Sequence, residues 1–142
     1  MGFERAENAK GEKVSWRWQV QTESGATIIL ELMADEPELR GGKVQPLPTS
    51  GNISALNIPN SSMVFDHHEV KEISAELLRN DGVATETIRH ADIVSFTCLK
   101  SYALDQQHER KDAHDLVYCL EHYEGGPEAA AKAFQAALKG KH

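Results

Sequence analysis

Apolar residues recur with a helical period only toward the C-terminus of the chain. Any fold of this chain must therefore place its helices after its other elements. Residues 92–106 and residues 111–123 each place their apolar side chains on one helical face. The sequence Gly125-Gly126-Pro127 predicts the end of the second helix and the start of a third, because glycine favours helix ends and proline favours first turns. Three helices are therefore predicted at the C-terminal end.

The residues before these helices follow strand patterns. Residues 14–20 alternate apolar and polar side chains, which predicts a half-buried strand. Residues 27–33 are apolar at nearly every position, which predicts a strand buried on both faces in the centre of a sheet. Residues 70–78 and 83–89 are predicted to pair as a β-hairpin around the Asn-Asp-Gly turn at 80–82.

The fold class predicted from this order is α+β, with an antiparallel or mixed sheet of about four strands followed by the three helices. Residues 1–12 are polar and predict a flexible N-terminus, and residues 13–139 predict a single domain. Residues 36–60 are rich in proline and glycine. They predict either a long irregular connection or a short helix near residues 52–56 flanked by turns.

Composition and charge narrow the classes of partner. The 142 residues include 22 acidic and 15 basic side chains, so the net charge of −7 disfavours binding to nucleic acid or to an anionic membrane. No apolar run approaches the roughly 20 residues of a membrane span, and the N-terminus has no apolar signal core. Cys98 and Cys119 lie in helical patterns, which predicts buried, reduced thiols and a cytoplasmic protein.

Charged groups concentrate around the predicted helix pair. Asp112 and Asp115 share a helix face in the first turn, where a cap or the helix dipole explains them without any function. Lys100 lies on the flank of an apolar stripe, either as a lysine extending to solvent or as a cation that meets an anion. Glu31, in the apolar strand, is either at the wet end of that strand or in a site.

The segment Asp66-His67-His68-Glu69 contains side-chain types that bind metals. Adjacent residues of a strand point to opposite faces, so only alternate members of this segment could converge on one ion. No third and fourth ligand follow at a sensible spacing, and the sequence gives little support for a metal site there.

A longer string across the helix pair resembles a known family. It reads Phe96-x-x-x-Lys100-x-x-Ala103-Leu104, then Arg110-Lys111-Asp112-Ala113-x-Asp115-Leu116, with Tyr118 soon after. This string resembles the C-terminal signature of the minimal nucleotidyltransferases, in particular the bacterial abortive-infection (AbiEii-like) toxin group. Weaker upstream matches stand in the family's order, namely Gly2-Phe3, Trp16-x-Trp18 and Ile29-Leu30-Glu31-Leu32.

The resemblance implies transfer of a nucleotide from a nucleoside triphosphate to an acceptor, with Mg²⁺ held by carboxylates. It assigns catalytic roles to Glu31, Lys100 and Asp112, and it makes Glu31 the metal-binding carboxylate of a strand. Lys100, Arg110 and Asp115 would lie at the substrate, with Lys100 on the triphosphate and Asp115 also supporting the second helix. For such an enzyme, tRNA as the acceptor is the one nucleic-acid partner to consider.

One departure from the family pattern limits this expectation. The family opens with a Gly-Ser turn and an Asp-x-Asp strand that binds the metals, and this sequence contains neither. We therefore expect a truncated or split nucleotidyltransferase-like protein, not competent alone, which forms a homo-oligomer or is completed by a partner chain. The alternative is a toxin–antitoxin or other protein-interaction module that uses the helix pair at residues 92–123.

Overall fold

The computed structural model describes residues 2–8, 10–48, 51–77, 81–107 and 110–140. The fold is α+β, with eight strands and four helices among those residues. The chain divides into two compact units. The first comprises Met1–Ser62 and Ile73–Glu86, and the second comprises Met63–Glu72 and Thr87–His142.

A three-stranded antiparallel sheet opens the first unit. Its strands are β1 (Glu4–Glu7), β2 (Lys13–Gln21) and β3 (Thr27–Glu31), in the order β1-β2-β3. The strand predicted over residues 27–33 is present only over Thr27–Glu31, because Met33 belongs to a strand of another sheet, and its predicted central position is wrong. β3 lies at the edge of the sheet, and all five of its residues are exposed. Its apolar run resembles that of a buried strand, although β2 is the one strand that pairs with it among the residues described.

Strand β1 lies within the segment that the sequence predicted to be flexible. Arg5 anchors this strand. Its guanidinium donates a hydrogen bond of 2.9 Å to the backbone oxygen of Asn52. The same guanidinium lies 5.7 Å from the centre of the Trp18 ring, a cation–π contact across the β1–β2 pair. One side chain thus ties the N-terminal strand both to its neighbour and to a distant loop.

A second small sheet follows in the first unit. It contains β4 (Met33–Ala34), β5 (Val44–Pro46) and β6 (Ser54–Asn57), with β6 in the centre, parallel to β4 and antiparallel to β5. Both predictions for residues 36–60 are therefore corrected, because strands replace the irregular connection and the short helix. In β6 the alternate residues Ala55 and Asn57 are buried, which is the period of a strand.

Asn57 is a buried polar side chain that organises the loop between β4 and β5. Its amide oxygen accepts a hydrogen bond from the backbone N–H of Glu36 at 2.7 Å. Its amide nitrogen donates to the backbone oxygens of Leu39 at 2.6 Å and of Glu36 at 3.3 Å. The side chain is fully buried, so these bonds replace the water that the amide loses on folding.

A hairpin of β7 (His68–Glu76) and β8 (Val83–Ala91) follows the short helix α1 (Met63–Asp66). The hydroxyls of Ser74 and Thr85 are 2.7 Å apart, and the Leu77 N–H donates to the oxygen of Gly82 at 2.8 Å. The predicted hairpin is thus present, while Leu78 and Asn80 of its predicted strand and turn lie outside the described residues. The single sheet of about four strands is wrong, because three small sheets take its place.

Three helices complete the second unit, as predicted. They are α2 (Ile93–Gln107), α3 (Arg110–Glu121) and α4 (Gly126–Lys139). Ile93 and Val94 of α2 and Ala130 of α4 are buried in their core, and partly buried side chains from α3, from α4 and from Tyr123 pack against them. One detail differs from the sequence predictions: the Cys98 thiol, predicted to be buried, is exposed, while Cys119 is partly buried. Residues 108 and 109, between α2 and α3, lie outside the described residues.

The start of α2 is fixed by capping. The Asp92 carboxylate accepts a hydrogen bond of 2.8 Å from the backbone N–H of Ser95, the usual role of an aspartate just before a helix. The fully buried Ser95 hydroxyl donates to the backbone oxygen of His67 at 2.7 Å. These two bonds hold the first turn of α2 against the chain that leads into β7.

Among the described residues, no helix is long and apolar enough to cross a membrane.

We expect Asn57→Ala to lower the free energy of unfolding by about 2–3 kcal/mol, because it removes the three hydrogen bonds that the buried amide makes to the backbone of Glu36 and Leu39. Urea denaturation measures the effect. Gln21→Ala, at an exposed strand position, serves as the control and should change stability by less than about 0.5 kcal/mol. Equal effects of the two substitutions would contradict the role given to the Asn57 amide.

Candidate functional site

Lys100 joins the two helices that carry the charged string. Its ammonium nitrogen, on α2, lies 2.8 Å from a carboxylate oxygen of Asp112 and 2.8 Å from one of Asp115, both on α3. The distance between Lys100 and Asp112 is well within the roughly 4 Å reach of an ion pair. Along the sequence the pair is twelve residues apart, so α3 must turn back against α2 to bring them together.

The two carboxylates differ in their surroundings. The side chain of Asp112 is 5% exposed, whereas that of Asp115 is 42% exposed and that of Lys100 is 28% exposed. A buried carboxylate is costly without a partner, so Asp112 depends on Lys100. Asp115 already contacts water and could be replaced at the ammonium by another anion at a smaller cost.

The three charges shift one another's protonation. The hydrogen bond to Asp112, followed by that to Asp115, raises the pKa of Lys100 above its ordinary value of 10.5, although partial burial opposes this. The hydrogen bond from Lys100 lowers the pKa of Asp115 below 3.8, with a smaller contribution from His114. The His114 ring nitrogen lies 3.8 Å from the second carboxylate oxygen of Asp115, a contact that the sequence did not suggest.

The two other predicted site residues, Glu31 and Arg110, have surroundings that differ from those of Lys100. Glu31 belongs to the first unit, where its carboxylate lies 3.1 Å from the Arg17 guanidinium on the paired strand β2. That ion pair gives the strand carboxylate a structural explanation. Arg110 is the exposed first residue of α3, where the positive end of the helix dipole does not favour a cation. The catalytic roles that the resemblance assigns to Glu31 and Lys100 remain predictions.

The described residues do not fit the Mg²⁺ that the family resemblance implies. No group of three histidine, cysteine or acidic side chains among them is arranged to hold a metal ion. Glu31 is paired with Arg17, while Asp112 and Asp115 are both bound to Lys100. Mg²⁺ is held through carboxylates that are free to face it, and these three are engaged by cations.

The residues of the segment 66–69 belong to different structural elements. Asp66 ends α1 and His68 begins β7. The His67 ring nitrogen lies 3.6 Å from the carboxylate of Asp92, the residue that caps α2. The segment thus helps to position the start of α2, a role that its side-chain types alone did not reveal.

A cleft of the second unit was missed by the sequence reading. Its volume is about 530 Å³, and its walls come from the base of the hairpin, the start of α2 and the end of α3. On one wall Tyr118 and His122 stack at 4.1 Å, and His114 stacks on the other side of Tyr118 at 6.1 Å. The spacing of these rings, four residues apart along α3 and the residue that follows it, was the available signal.

Comparison with models of known families, with curated proteins and with solved structures found no match to this chain.

We expect the Lys100 group to contribute its full stabilisation between about pH 4 and pH 10. The pKa of Asp115 is lowered on folding, so its share is present above 3.8 and is lost as the pH falls through the lowered value. The pKa of Lys100 is raised, so its share is present below 10.5 and is lost above that value. Asp115→Asn should therefore destabilise the protein at neutral pH and reduce the loss of stability in acid.

Urea unfolding at about pH 7 and about pH 3 measures this difference. Asp66→Asn, at an exposed carboxylate, is the matched control and should retain the acid dependence of the parent protein. An identical acid dependence in Asp115→Asn and in the parent would contradict the ion pair.

Proposed function

We propose that this chain is a nucleotidyltransferase-like protein in which Lys100 binds the phosphates of a nucleoside triphosphate. The observation that carries the proposal is the convergence of Lys100, Asp112 and Asp115 at 2.8 Å distances. Lys100, Asp112 and Asp115 all belong to the string that resembles the family. A lysine held on an aspartate pair, with part of its side chain open to solvent, is a positioned cation for phosphate.

The charges of the group decide how a phosphate could bind. One ammonium and two carboxylates sum to −1, which opposes a bare anion. Asp112 is buried and supports Lys100 from the protein side, whereas the more exposed Asp115 occupies a position that a phosphate oxygen could take. Binding would thus exchange Asp115 for phosphate, and Mg²⁺ carried by the nucleotide itself would reduce the repulsion.

Under this proposal the chain alone does not transfer the nucleotide. The sequence has no Asp-x-Asp, and the carboxylate of Glu31 is engaged by Arg17. A phosphoryl-transfer site needs metal ions that neutralise the triphosphate and activate the attacking oxygen. Catalysis would then require carboxylates from another chain, with Lys100 and Arg110 as the contribution of this one.

A second candidate function is a protein-interaction module built on the helix pair, such as one partner of a toxin–antitoxin complex. It is favoured by three large side chains that remain exposed on α2 and α3. Tyr102 is 41% exposed, Val117 is 55% exposed and Tyr118 is 54% exposed. Aromatic residues are enriched at protein interfaces, so this surface suits a protein partner.

Titration calorimetry with the four nucleoside triphosphates, with and without Mg²⁺, tests the leading proposal. We expect weak binding, lost in Lys100→Ala and strengthened several-fold in Asp115→Asn, because the asparagine no longer competes with phosphate for Lys100. Lys111→Ala, at an exposed neighbouring lysine, is the control and should bind as the parent does.

Opposite outcomes distinguish the two candidates. If the folded parent protein binds none of the nucleotides, or if Asp115→Asn weakens binding as much as Lys100→Ala, the nucleotide proposal fails. Circular dichroism of each variant establishes that the helices remain folded. Exposed apolar residues on α2 and α3 that become protected when a protein partner is added would support the interaction module.

A further inference from the structure

Strand β3 forms an unprotected edge of the sheet β1-β2-β3. Three consecutive aliphatic residues, Ile28, Ile29 and Leu30, are 41%, 48% and 46% exposed. Natural sheet edges are usually protected by lysine, proline, a bulge or a covering segment. β3 has none of the first three, because its sequence is Thr-Ile-Ile-Leu-Glu and its register with β2 is regular throughout. Its single charge, Glu31, is paired with Arg17.

The hydrogen bonds of β2 and β3 show which backbone groups face the open edge. The Thr22 N–H donates to the oxygen of Ala26, and the Leu32 N–H donates to the oxygen of Trp16. Bonded pairs alternate along an antiparallel ladder, so residues 28 and 30 direct their N–H and C=O groups toward β2. Thr27, Ile29 and Glu31 direct theirs away from it, toward the open side.

We propose that β3 pairs antiparallel with β3 of a second copy of this chain, centred on Ile29. In this register each Ile29 exchanges two hydrogen bonds with its counterpart, and Thr27 exchanges two with the partner's Glu31. Every outward backbone group of the strand is then paired. The register is complementary in charge as well, because each Glu31 lies opposite a neutral threonine and no like charges meet.

The side chains agree with this arrangement. Ile28 and Leu30 lie on the sheet face that also carries Trp18 and the buried Val20. In the proposed register Ile28 lies opposite the partner's Leu30, as a close cross-strand pair. Four aliphatic side chains would thus adjoin on one face of a continuous six-stranded sheet, which covers the exposed apolar run of each copy.

The size of the contact predicts its strength. Five residues of a strand extend about 17 Å, and the area that they bury lies below the roughly 1,200 Å² of standard interfaces. We therefore expect a dimer that forms in the micromolar range and dissociates on dilution. The proposal does not rest on nucleotide binding, since β3 and Lys100 belong to different units.

Sedimentation over about 1–200 µM tests the association, because weak interfaces populate their dimers in this range. The parent protein should shift from monomer to dimer, and Ile29→Lys should remain monomeric because it places two like charges opposite each other. Leu138→Lys, at an exposed residue of α4, is the matched control and should dimerise as the parent does.

Cysteine cross-linking tests the register independently of stability. In a Cys98→Ser, Cys119→Ala background, Ile29→Cys should form a disulfide dimer on mild oxidation, since the paired Cα atoms would lie about 5.5 Å apart. Ile28→Cys should not, because its counterpart is offset by two residues along the strand. A monomer at every concentration, an unchanged dimer in Ile29→Lys, or equal cross-linking at positions 28 and 29 would overturn the proposal.

Discussion

The ion pairs of Lys100 are the contact on which the arrangement of α2 and α3 depends. The buried Asp112 has a small, partly exposed cation as its partner, and the loss of that cation would leave a carboxylate in the protein interior. Breaking a buried pair from one side costs about 3 kcal/mol or more, whereas an exposed pair contributes far less. The second contact, with the more exposed Asp115, therefore contributes less to stability. It helps to hold the Lys100 ammonium in place and can be exchanged for another anion.

The apolar cores of both units are small. Among the described residues the buried apolar side chains are Ala6, Val20, Ala55, Ile93, Val94 and Ala130. Buried polar groups accordingly do much of the positioning, with Asn57 holding the loop before β5 and Ser95 holding the start of α2. Such groups fix a single geometry because each has few alternative partners in the interior. Large aliphatic side chains that remain outside, as on β3, then become candidates for contacts with other chains.

The sequence predictions succeeded where a local pattern has one structural meaning. Helical periodicity predicted α2 and α3, and the Gly-Gly-Pro sequence predicted the start of α4. The alternation around Trp16 and Trp18 gave β2. The predictions failed where burial had to be inferred from composition, as for β3, because an apolar run is compatible with a central strand and with an edge that a partner covers.

Local sequence also determined which groups could form the candidate site. The first-turn position of Asp112, its spacing to Asp115 and the place of Lys100 on the flank of α2 can all be read from the chain. Only the tertiary structure decided that α3 folds back to bring both carboxylates to one ammonium, and that Glu31 pairs with Arg17 across two strands. The physical reason is that periodicity fixes the face on which a side chain lies, whereas the packing of elements against one another fixes what that face meets.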